Sequence, residues 1–466
     1  MVCTTMPEPG LGAARAWRDG DVTRAIEVAD RVLAAGADPD GSAAAVVAAA
    51  AAADGALTDG ATRWRRIAEM HAGAAAVPAA AHAALLGALG GRLAVAATDL
   101  GRARSGLADP APRGTAVLIE GVAAVLDGVR GDLLGSARRL RGLAVATVPA
   151  DLFAVERWDD LAVELALAGS ADAAATAMLA ARPDPTPLRS LLTAWVDLRT
   201  ARFTHAGAAL AAAATAPVMR RDALLAAVVA VGLARRSGDP EALATAWHRA
   251  APVVAGSEVE VLRLDVWGEL SVAAAVVAPA EAEDIAAAMD TTVVAAGSPS
   301  WCAPVLLWWR LQRAIATGAP VASLAGELCG LDAVRGAAAA AWAAVLDHTA
   351  EPAAVLAAAT GLAAAGRPWE ARQLCGAAAA LATEPATARV LLGTGRDRPQ
   401  HPSDDLLTER EREIGRLVLD GFTHREIGAR LYLSPKTVEQ HVGRMRRKVL
   451  AGNRAELMAA LRVRLG

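Results

Sequence analysis

The chain has 466 residues, enough for two or three cores rather than one, and a formal net charge of -3 that by itself neither favours nor excludes nucleic acid. Its two lysines, Lys436 and Lys448, both stand near the C-terminus, so no lysine precedes position 436 to serve a phosphate-binding P-loop or a Schiff base. Cys3, Cys302, Cys329 and Cys375 lack C-x-x-C spacing, the eight histidines lack H-x-x-x-H spacing, and no Ser/His/Asp group stands out. These patterns argue against an enzyme, a zinc site and a disulfide framework, and no cofactor is expected.

In chain order, the opening segment MVCTTMPEPG has no basic region followed by an apolar run, as a secretory signal requires. The uncharged stretch Thr291–Trp309 is interrupted by Gly297, Pro299 and Pro304, so a membrane span is not expected there. A cytoplasmic protein without membrane contact is the expectation.

From about residue 10 to 393 the sequence is a succession of Ala/Leu/Val-rich segments with apolar residues at three- and four-residue spacing, which predicts an all-α body. Short breaks recur at Gly20-Asp21, Gly131-Asp132, Gly169-Ser170, Gly238-Asp239-Pro240 and Gly366-Arg367-Pro368. In each, small alanines follow the break, where a second helix must approach the first. The arrangement resembles tetratricopeptide-type helical hairpins, degenerate and irregularly spaced; a non-repeating bundle of Ala-rich helices is the alternative. Eleven tryptophans, among them Trp64, Trp158, Trp195, Trp247, Trp267, Trp308, Trp309 and Trp342, either line a groove or fill gaps that alanines leave between helices. The second role is the commoner one.

Residues 394–405 contain prolines, glycine and mixed charges and read as an exposed linker between a body (1–393) and a tail (406–466). The two parts differ in charge: residues 404–466 carry +4, whereas 1–403 carry -7. A basic tail on an acidic body fits a small nucleic-acid module.

The tail's helix starts are legible. Thr408-x-x-Glu411 and Thr423-x-x-Glu426 are capping boxes, Ser434-Pro435 supplies an N-cap followed by proline at the first helical position, and Asn453-x-x-Glu456 opens a fourth helix. Gly421 stops the first helix, and Tyr432-Leu433 form the turn between the second and third. Four short helices with a tight turn in the middle constitute a helix-turn-helix. At the 3.6-residue period, Val438, Val442, Met445 and Val449 of the third helix face inward. Lys436, Gln440, Gly443 and Arg447 lie opposite, flanked by Glu439 and Arg444. A positive, amide-bearing outer face suits a major-groove reader.

Leu407-Thr408-x-Arg410-Glu411-x-Glu413, Gly421, Glu426-Ile427, Leu431, Ser434-Pro435-Lys436-Thr437-Val438, His441, Lys448 and Asn453-Arg454 resemble the LuxR/NarL (GerE-type) signature over about 60 of the 466 residues. The resemblance implies a four-helix domain that reads double-stranded DNA with its third helix and commonly dimerises through its fourth. It implies base-edge roles for Glu439, Gln440 and Gly443, and phosphate roles for Thr437, His441 and Lys448, with Arg430 and Ser434 nearby. Gly443 stands where a longer side chain is usual, Gly428 where alanine is usual, and Val449-Leu450-Ala451-Gly452 where the family has Leu-Gly. The body looks like the non-ATPase half of the large MalT-like regulators. A transcriptional regulator, homodimeric on DNA and governed through a small molecule or protein at the helical body, is the expectation. A helical-repeat interaction scaffold with an accessory DNA module is the alternative.

Overall fold

The structure, a computed structural model, describes residues 9–71, 76–144, 157–181, 186–214, 219–393, 409–431, 433–449, 451 and 453–465. Among them are 26 α-helices, one short 3-10 turn and no strand, so the chain is all-α. The expected linker, Thr408 of the first capping box and Tyr432 of the turn lie outside the described residues.

Every break named in the sequence is a turn between two helices: Pro9–Arg18 to Val22–Ala34, Arg113–Arg130 to Leu133–Ala144, Trp158–Ala168 to Asp172–Ala180, Arg220–Ser237 to Pro240–Ala255, and Pro352–Ala364 to Pro368–Leu381. The turn at Gly366 needs φ +77°, a left-handed value that costs glycine little. Ser170 takes φ +55° at its own break without that freedom. In these five hairpins helix lengths run from 18 residues in Arg113–Arg130 to 9 in Asp172–Ala180, so they succeed one another without a constant repeat.

The fold divides into two compact units. The first comprises residues 1–196, 204–231 and 246–309; the second comprises 197–203, 232–245 and 310–466. In the first, small residues let helices approach closely. Ala13, Ala16, Ala25, Ala29 and Ala43 form an alanine-lined cluster with Val32 and Val46 at the N-terminal end. Further on, helix Ala76–Leu89 is buried at Val77 and from Ala79 to Leu89.

The tryptophans pack into such spaces. Trp64 stacks on His82 with ring centres 4.6 Å apart. A Cβ on Gly268 would fall inside contact distance of the Trp309 ring, whose indole nitrogen donates to Asp265 at 2.7 Å. Trp195, Trp247, Trp267, Trp308 and Trp342 are also buried, which supports their gap-filling role.

The first unit also buries four charges that the sequence did not single out. Arg263 donates to Glu164 at 2.8 Å and to the carbonyl of Arg221 at 3.0 Å, and lies 3.4 Å from Glu260; Arg221 in turn bonds Glu260. Cations and anions here offset one another's charge, as burial favours.

In the second unit, successive helices from Ala322–Cys329 to Pro385–Gly393 pack on one another. The four tail helices, Glu409–Leu419, His424–Leu431, Pro435–Lys448 and Arg454–Leu465, surround a core of Ile414, Val418, Ile427, Val438, Met445, Val449, Leu457, Ala460 and Leu461. The fourth of them also packs on Pro368–Leu381 and Pro385–Gly393. Among the described residues, no helix of the protein is long and apolar enough to cross a membrane.

Candidate nucleic-acid interface

Local hydrogen bonds set the ends of the tail helices. Thr423 and Glu426 cap reciprocally: the Thr423 N–H donates to the Glu426 carboxylate at 2.8 Å, and the Glu426 N–H donates to the Thr423 hydroxyl at 3.3 Å. The Thr423 N–H foremost, and then the Thr423 hydroxyl, which donates to the same carboxylate at 2.8 Å, hold the Glu426 carboxyl below its ordinary value. The Thr437 N–H donates to the Ser434 hydroxyl at 3.0 Å, so Ser434 is the N-cap of the third helix. The Glu456 N–H donates to the Asn453 side-chain oxygen at 2.9 Å, which opens the fourth. Gly421, at φ +85°, ends the first.

The turn between the second and third helices is tight. The Leu433 N–H donates to the Gly428 carbonyl at 2.9 Å, and a Cβ on residue 428 would stand 2.6 Å from the Leu433 carbonyl oxygen. Glycine at 428, in place of the alanine usual in the resembling family, accommodates that approach. Arg410 reinforces the corner by donating to the Leu431 carbonyl at 2.7 Å, satisfying a helix-end acceptor. The sequence shows Arg410 as part of the family signature but not the carbonyl it meets.

The third helix is amphipathic as its periodicity predicts. Val438, Met445 and Val449 are buried and Val442 is packed against them. On the opposite side Lys436, Glu439, Gln440 and Arg444 are exposed, and Gly443 is half-buried with open space where a Cβ would point. The reading face is therefore bare at 443. Thr437 and His441 are half-buried beside it, and Ser434 is exposed at its start. The side chains of Arg447 and Lys448 lie outside the described ones, although both residues belong to the helix.

Two of these groups pair with each other. The Lys436 ammonium lies 3.1 Å from the Glu439 carboxylate, and that hydrogen bond raises its pKa. Both side chains are well exposed, so the pair contributes little and either partner is free to turn to another ligand. Arg430 lies flat on Phe422, its guanidinium carbon 3.8 Å from the ring centre, which holds an exposed cation at the foot of the second helix. Arg446 is different: burial pushes its pKa down, against the opposing pull of Asp239 and Glu456.

This arrangement can present a helix edge to a groove about as wide as the helix itself, with an amide for base edges and cations for phosphates around it. The comparisons with known proteins concern this same tail. The sequence profile of bacterial regulatory proteins of the luxR family matches residues 405–461. The spore germination protein GerE of Bacillus subtilis is 36% identical over 64 residues, which is 14% of this chain and 85% of GerE. The transcriptional regulatory protein DegU of Brevibacillus brevis is 41% identical over 51 residues, 11% of this chain and 22% of that protein. Two mycobacterial proteins named as HTH-type transcriptional regulators are 34% identical over 80 residues, and the match spans 9% of their length and 17% of this chain.

Proposed function

We propose that this chain, a member of the luxR family of bacterial regulatory proteins, is a sequence-specific DNA-binding transcriptional regulator that works in the cytoplasm, reads the major groove with helix Pro435–Lys448 and is governed through its helical body. One observation carries the reading: Lys436, Glu439, Gln440 and Arg444 are exposed together on the side of the third helix opposite its buried Val438 and Met445. In this reading Glu439 and Gln440 address base edges, with Gly443 leaving room for close approach of the helix. Arg430, Ser434, Lys436, Thr437, His441, Arg444, Arg447 and Lys448 address phosphates or flank the groove. Two copies bind as a homodimer on half-sites about 10 base pairs apart.

Regulation enters through residues 1–393, with residues 394–405 as the linker to the tail. A half-open cavity of about 250 Å³, lined in part by His348, Val355, Ala378, Thr387 and Leu391, supports an effector site there. Its walls include the two helices on which the fourth tail helix rests. A genome-wide map of bound DNA tests the reading. Sharp peaks sharing a palindromic sequence are expected; a featureless map refutes sequence-specific regulation and favours the interaction scaffold.

A further inference from the structure

Helix Pro435–Lys448 carries one acidic residue, Glu439, against the cations Lys436, Arg444, Arg446, Arg447 and Lys448. Three other glutamates of the tail serve the fold. Glu426 and Glu456 bond back to the residues that open their helices, Thr423 and Asn453, and Glu411 is buried at 2% exposure. Glu439 neither opens a helix nor fills a core. It lies beyond the first turn, where the helix dipole no longer favours a carboxylate, and its side chain is 56% exposed.

Its partner on the helix is Lys436, three residues back, at 3.1 Å. Lysine placed before glutamate is the weaker order for such a pair. The better place for a cation, four residues on, is held by Gly443, with open space where a Cβ would point. Two exposed ends in an ion pair gain little from each other, and the carboxylate keeps lone pairs for a donor outside the chain.

On a DNA duplex such a group is a liability. Phosphates line both edges of the groove and repel it, and so do the acceptors on the floor: N7 and O6 of guanine, N7 of adenine and O4 of thymine. Two major-groove groups donate, N6 of adenine and N4 of cytosine. The adenine donor stands beside the N7 acceptor, so that edge suits an amide such as Gln440 better than a carboxylate. The cytosine donor stands on an edge without an acceptor.

Resting on the reading of helix Pro435–Lys448 as the one that enters the groove, we infer that Glu439 selects for cytosine by repulsion: it lowers the tail's affinity for duplexes in general and recovers the loss where a cytosine N4 amine meets it. Specificity is a difference of affinities, and a group that penalises the wrong partner widens that difference as surely as one that rewards the right one. Lys436 offsets part of the penalty by standing beside the carboxylate. The bare site at Gly443 leaves the outward side of Glu439 open toward the bases.

Wild type and Glu439→Gln, both full-length, test this. The substitution keeps the shape of an exposed side chain and removes its charge. Binding-site selection reads the preference, and anisotropy of a labelled duplex of arbitrary sequence, taken at several salt concentrations, reads the general affinity. Wild type is expected to prefer a C·G pair at one position of each half-site by about ten- to hundred-fold, the range of one good base contact. In Glu439→Gln that preference is expected to vanish, while binding to the arbitrary duplex tightens about three- to ten-fold at low salt and the gain fades at high salt. A variant that binds the arbitrary duplex no more tightly than wild type overturns the repulsion. A variant that keeps every C·G preference of the wild-type motif overturns the contact with cytosine. In both cases a wild-type motif leaves the DNA-binding reading standing. If neither chain binds duplex at all, that reading falls and the role of Glu439 falls with it.

Discussion

Replacing Arg263 by methionine removes one corner of the buried charge set and little of its volume. In the intact protein the guanidinium donates to Glu164 at 2.8 Å and to the Arg221 carbonyl at 3.0 Å, and lies 3.4 Å from Glu260. The side chains of Arg221, Arg263, Glu164 and Glu260 are each 2–3% exposed. Without Arg263, Glu164 and Glu260 lose a cation that lies 2.8 and 3.4 Å from them, which leaves an excess of buried negative charge at this place. Breaking a buried pair in this way costs about 3–5 kcal/mol, comparable with the lower end of a domain's entire stability at about 5 kcal/mol. Adding Glu164→Leu removes a carboxylate to match the lost cation. The double variant should then lose only about 1 kcal/mol or less, because a well-packed apolar pair can stand in for a buried ion pair. The coupling energy between the two sites is thus at least about 2 kcal/mol. Urea unfolding followed by tryptophan fluorescence reads it, because Trp247, Trp267 and Trp308 are buried in the same unit. A single variant costing under about 1 kcal/mol, or a double variant costing the sum of its parts, would refute the reasoning.

Two further predictions concern single groups. The Glu426 carboxyl has a folded pKa below its unfolded value, so its capping contribution is complete above the unfolded value and is lost as pH falls through the folded one. The Thr423 amide shift followed by NMR should therefore titrate below the ordinary glutamate range, and a midpoint at or above that range contradicts the cap. Burial pushes the Cys302 thiol up to about 12 and the Cys375 thiol up to about 11, whereas Cys329 is exposed. In a Cys3→Ser chain at neutral pH, a disulfide reagent should modify one thiol promptly and the other two only on unfolding; prompt modification of two or three shows that the burial is wrong.

The tail was legible because its signals are local. A capping box spans four residues, so Thr423–Glu426 and Asn453–Glu456 could be read without knowing what lay around them. The same holds for the inward side of the third helix, where one period places Val438, Met445 and Val449 together. The helical breaks of the body were legible for a similar reason, since glycine and proline act on their own stretch of backbone. What escaped depends on distant partners. Glu164 sits in an apolar run and meets Arg263 across 99 residues, which no periodicity encodes. Gly376 is one small residue in a run of alanines, and only the approach of Glu456 distinguishes it. Arg410 was visible as a charge, but its acceptor is a carbonyl 21 residues away.

The central claim is that helix Pro435–Lys448 reads bases from one side, and binding-site selection on three full-length chains tests it most directly. Wild type should select a motif with two related half-sites. Gln440→Ala removes the amide at the middle of the exposed face, which can pair with N6 and N7 of adenine. It should cost about 1–3 kcal/mol at one base position and relax the preference there. Lys448→Ala lies about two turns further on and should weaken all sequences nearly equally, lowering the slope of log affinity against log salt by about one unit. If Gln440→Ala leaves the selected motif intact while Lys448→Ala changes it, the third helix does not lie in the groove as described.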